Sequence, residues 1–79
     1  MKNEEITEEV FRIRSYSWKE LAILYNPYVC PASAMKTLRR WINEHQSLPV
    51  ELALAGWRPH RRLLTPMQVR LIVHYLGEP

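Results

Sequence analysis

Leu21-Ala22 and Tyr25-Asn26-Pro27, followed one short turn later by Leu38-Arg39-Arg40-Trp41-Ile42, make up the stretch that decides how this chain folds. Its first half is apolar at helical spacing and stops at a proline, because the residue ahead of a proline avoids helical angles. Its second half carries a greasy strip of Ala34, Leu38, Trp41 and Ile42, with Met35 at the edge. Lys36, Arg40 and Asn43 lie on the opposite side, and Arg39 flanks them. Two helices so joined bury one face against a core and can present a positively charged helix to a DNA groove.

Upstream, Ser17-Trp18-Lys19-Glu20 reads as a capping box in which the hydroxyl and the carboxylate each accept from the other residue's amide. The helix it opens sets Trp18, Leu21, Ala22 and Tyr25 on one face. The second helix is predicted to start near Pro31, whose missing amide costs nothing in a first turn. Cys30 is a poor cap there and Ser33 is the alternative. The helix fades around Glu44-His45-Gln46. Ahead of the pair, residues 10–16 alternate loosely, Phe11 and Ile13 against Arg12 and Arg14. That is weak strand patterning, and a strand here needs a partner that the sequence does not display.

Downstream, Ser47 is the predicted cap of a short third helix through Val50, Leu52, Ala53 and Leu54, stopped by Gly56 in a left-handed conformation. Trp57-Arg58-Pro59-His60-Arg61-Arg62 is a basic loop, in which Trp57 is expected to fold back over the helix it follows. Thr65-Pro66-Met67-Gln68 opens a fourth helix with a second capping box. Val69, Ile72, Val73 and Leu76 form its core face, and Gly77 ends it. Leu71 and Tyr75 add a second apolar strip, the cue for a homodimer contact. The expectation is an all-α, small four-helix domain over residues 10–79, with room for one short N-terminal strand, behind a flexible acidic arm at residues 1–9.

Charge is distributed unevenly. Residues 1–11 set Lys2 against Glu4, Glu5, Glu8 and Glu9, a net of −3, while the remainder sets ten Lys or Arg against four Glu, a net of +6. A basic body favours polyanions. At 79 residues the chain makes one domain and leaves little room for a concave pocket. It contains no Asp, which starves paired-carboxylate chemistry, and two glycines do not build the usual phosphate-cradling loop. Cys30 and the three histidines are too widely spaced for structural zinc. The expectation is therefore no enzyme, no metal and no cofactor. A single cysteine, and no apolar run near the roughly 18 residues of a membrane span, suggest a cytoplasmic protein without a membrane partner.

Two resemblances attach to these residues. Residues 11–16, Leu21-Ala22, Tyr25 with Pro27, residues 38–42, Leu52 with Gly56, and residues 65–73 closing on Leu76-Gly77-Glu78-Pro79 resemble a domain-of-unknown-function family of short basic proteins from Bacteroides-type gut bacteria. That family implies small cytoplasmic accessory proteins and assigns no activity. More loosely, residues 17–42 resemble excisionase-like helix-turn-helix proteins, in which a Leu-Ala in the first helix precedes an Arg-Arg-Trp-Ile-like end of the second. The connection here, Asn26 to Cys30, is longer than the usual three or four residues. The expected function is DNA binding, with Lys36, Arg39, Arg40 and Asn43 at the groove and Arg58, Arg61 and Arg62 on phosphates. This arrangement requires the face of Arg40 to align with Arg58–Arg62. A protein-interaction module or homodimer through Leu71 and Tyr75 is the alternative.

Overall fold

The computed structural model describes residues 10–79, so the acidic arm expected at residues 1–9 lies outside the described residues. Its elements run β1 (Tyr16–Ser17), α1 (Trp18–Tyr25), α2 (Pro31–Glu44), α3 (Leu48–Leu54), β2 (Leu63–Leu64) and α4 (Pro66–Leu76). The four expected helices are present, and a short antiparallel pair, Tyr16 opposite Leu64 and Ser17 opposite Leu63, joins the segment ahead of α1 to the segment ahead of α4. The weakly patterned lead-in thus finds its partner within the chain, in two residues between the basic loop and the Thr65 cap. The strand itself is shorter than the alternation suggested and starts only at Tyr16.

Local signals explain most helix ends. At α1, Ser17 Oγ accepts from the Glu20 amide (2.9 Å) and Glu20 Oε1 accepts from the Ser17 amide (3.2 Å). At α4 the same exchange links Thr65 and Gln68. α2 begins at Pro31 with Cys30 in the cap position and no side-chain cap bond, so Ser33 lies inside the helix. Ser47 precedes α3 in a helical conformation and also makes no side-chain cap bond, contrary to its expected role. The end of α3 is a Schellman turn: Trp57 N–H donates to Leu52 O (2.9 Å) and Gly56 N–H to Ala53 O (3.0 Å). Gly56 has φ +94°, where a side chain would be strained.

The core is one cluster. Trp18, Leu21 and Ala22 of α1 meet Ala34, Leu38 and Ile42 of α2, and Leu48 and Leu52 of α3 meet Val69 and Ile72 of α4. Each fully buried leucine contributes roughly 1.5–3 kcal/mol of transfer free energy. On α3 the inward positions are Leu48 and Leu52, while Val50 and Leu54 are exposed. Residues 48 and 52 fall on one side of so short a helix, and 50 and 54 on the other. Trp57 folds back as expected and is buried against Trp18, ring centroids 5.8 Å apart. Gln68, nearly fully buried, does more than complete its capping box. Its Nε2 donates to Ala55 O (2.9 Å) and ties the start of α4 to the end of α3.

The second strip of α4 is half-covered within the chain. Leu71 and Tyr75 both pack on the core cluster. The Tyr75 hydroxyl donates to Glu51 on α3, and its ring sits against His45 at 4.6 Å. No helix of the described residues is long and apolar enough to cross a membrane.

Candidate nucleic-acid interface

The β1–β2 pair positions the basic loop. After the Schellman turn the loop closes on itself through Arg61 N–H to Arg58 O (3.0 Å). Arg62 O then accepts from the Trp18 amide (2.7 Å), one step beyond the ladder. The first turn of α1 and residues 58–62 are thereby fastened side by side. α1 packs chiefly on α2, which brings the middle of α2 to the same place.

A groove of about 470 Å³ lies between these three pieces. Lys19 of α1, Arg39 of α2, and His60, Arg61 and Arg62 of the loop line it, over apolar ground from Trp18 and Met35. Every one of these basic side chains is exposed. Among the described residues no carboxylate lines the groove. The Arg39 guanidinium sits over the Trp18 ring, 5.6 Å from its centroid, a cation–π contact that holds the charge at the groove edge.

The structure thus brings together Arg39, Arg61 and Arg62 from the expected set. Lys36, Arg40 and Asn43 are exposed on α2 but do not line the groove. Helical rotation accounts for the difference. At 100° per residue Met35 and Arg39 share the side facing the loop, while Asn43, Lys36 and Arg40 lie progressively further round. Arg40 Nε instead approaches Glu44 Oε2 at 3.8 Å, one turn on, an exposed pair of little energetic weight. Arg58 turns back, donating from Nη1 to the Trp57 carbonyl (3.1 Å). The expected alignment of Arg40 with Arg58–Arg62 is therefore replaced by one of Arg39 with Arg61 and Arg62.

Lys19 and Trp18 belong to the groove and were not singled out as site residues. The signal that could have found them is their position just inside the first cap, but only the strand pairing places that cap beside the loop. Elsewhere, Arg14 stacks over Tyr16 at 3.8 Å and reaches Glu20 at 3.5 Å, so it fastens the lead-in to α1. The Cys30 Sγ, exposed at the start of α2, lies 3.3 Å from Ser33 Oγ, and hydrogen bonds that the Ser33 hydroxyl and amide can donate to the thiolate hold its pKa below that of an ordinary thiol. Among the described residues no group of three or more His, Cys, Asp or Glu could hold a metal ion.

A family model described as a domain of unknown function, DUF4248, matches residues 12–79. No curated protein and no solved structure matches the chain.

Proposed function

The chain belongs to the DUF4248 family, which carries no assigned activity, and from its surface we propose that it is a small cytoplasmic DNA-binding protein of accessory or regulatory type rather than an enzyme. The observation that carries this reading is the convergence of Lys19, Arg39, Arg61 and Arg62 from three separate elements on one groove. Solubilising charge has no reason to converge, whereas a polyanion is bound by cations held at fixed spacing. Beside the groove, α2 exposes Lys36, Arg40 and Asn43, side chains that reach guanine and adenine edges in a major groove. α2 takes the position of a recognition helix, and the 58–62 loop takes that of a backbone contact. The likeness of residues 17–42 to excisionase-like helix-turn-helix proteins supports the same reading, with the five-residue connection between α1 and α2 as a longer variant of the turn.

Fluorescence anisotropy with a labelled duplex tests it. Micromolar or tighter binding is expected at about 50 mM salt, weakening steeply by about 200 mM as counterion release predicts. No binding at the lower salt rejects the proposal.

A further inference from the structure

We propose that the groove between the start of α1, the middle of α2 and the 58–62 loop is a seat for backbone phosphates of duplex DNA. The inference rests on the DNA-binding reading and divides its labour: the groove supplies affinity, and the adjacent strip of Lys36, Arg40 and Asn43 supplies sequence choice.

The chemistry of the lining selects phosphate. Lys19, Arg39, Arg61 and Arg62 approach from three elements. A carboxylate is planar and is satisfied by a single guanidinium fork, whereas a tetrahedral phosphate offers oxygens in several directions at once. The Arg39 guanidinium is held over the Trp18 ring, 5.6 Å from its centroid, which keeps its charge at the groove.

Beneath the cations lies an indole that can report on the groove. Trp18 is 7% exposed and lines the groove, and its buried Nε1–H has no acceptor among the described residues. The neighbouring Trp57 is 9% exposed, and its Nε1–H is in the same condition. The Trp18 N–H is closed to solvent and is not itself a contact for an anion, but the ring that carries it lines the groove, so its resonance reports on charge placed there. At the start of α1 the Glu20 amide is held by Ser17 and the Trp18 amide by Arg62 O.

The test has two arms, both on the full chain. In the first, inorganic phosphate is titrated into ¹⁵N-labelled protein at low salt while the indole N–H resonances are followed. The Trp18 signal is expected to move saturably and the Trp41 signal to stay. An Arg39→Gln/Arg61→Gln variant that keeps native backbone dispersion should lose the response. Absence of a saturable shift, or the same shift from chloride, overturns the proposal. An equal shift from glutarate identifies a carboxylate seat, hence an acidic protein segment as the ligand, and also overturns it.

In the second arm, Arg39→Gln and Arg61→Gln should each weaken duplex binding about tenfold, uniformly across sequences, and each reduce the slope of log K against log salt by about 1. Asn43→Ala should change sequence preference and leave that slope alone. Duplex binding whose slope ignores the groove variants overturns the seat and leaves the DNA reading standing. A phosphate response with no duplex binding overturns the DNA reading, and the backbone assignment falls with it.

Discussion

Tyr25 closes α1 against the end of the chain, its hydroxyl donating to the Gly77 carbonyl and its ring meeting Trp41 edge-on at 6.3 Å. Burial and the nearby Glu78 carboxylate push its pKa up to about 12 from an ordinary 10.0. Folding therefore holds the phenol proton over a pH range in which the unfolded chain has already lost it. The stability this group contributes is full below about pH 10 and is lost as pH rises through about 12. Tyr25→Phe should cost about 1 kcal/mol near neutral pH by urea denaturation, the usual worth of one hydrogen bond. The gap between wild type and variant should close as pH rises through that window, and a constant gap refutes the assignment. Cys30 offers a second residue-scale check. Its lowered pKa comes first from the Ser33 hydroxyl, and thiolate is the reactive form. Ser33→Ala should slow alkylation of Cys30 by iodoacetamide at neutral pH, and an unchanged rate argues against the hydrogen bond.

Among the elements, α1 and α4 depend on reciprocal capping, and α2 and α3 do not. Ser17→Ala and Thr65→Ala should each lower stability by about 1 kcal/mol, read as a shift of the thermal or urea midpoint. Ser47→Ala should change it little. Equal losses at all three positions contradict the cap geometry. The same contrast explains what could be read before folding. A capping box is written within four residues, so Ser17–Glu20 and Thr65–Gln68 were legible, as were the Gly56 stop and the return of Trp57. Ser47 has the right side chain but the wrong backbone conformation, which residue type alone does not reveal. The inward face of α3 was not readable, because seven residues are too few for spacing to separate Leu48 and Leu52 from Val50 and Leu54. A short N-terminal strand was suggested by alternation, but its pairing with β2 was not legible: two residues far off in sequence leave no periodicity to detect.

At the scale of the whole molecule, that unreadable pair governs the candidate site. The basic residues could be picked out one by one, but which of them stand together depends on where Ser17 and Leu63 meet and on the rotation of α2. Hence Arg39 displaced Arg40 as the partner of the loop. The same scale bears on oligomeric state. Leu71 and Tyr75 pack on the core, and Tyr75 is tied to α3, so the strip that suggested a dimer is partly covered within one chain. Light scattering should return a mass near 9.4 kDa at micromolar concentration. A value near twice that restores the homodimer reading.

The double fastening of the 58–62 loop, by the Schellman turn at Trp57 and by the strand pair at Leu63–Leu64, makes its length a fixed quantity. Surface loops ordinarily absorb insertions at small entropic cost. Here one added residue would shift the register of the ladder or unseat Trp57 from the core. The α1–α2 connection is the opposite case: Tyr28 is 97% exposed and Val29 half-exposed. Graft sites for a tag or fluorophore therefore belong at Tyr28–Val29, and length variation among natural relatives should accumulate there while the basic loop keeps its count.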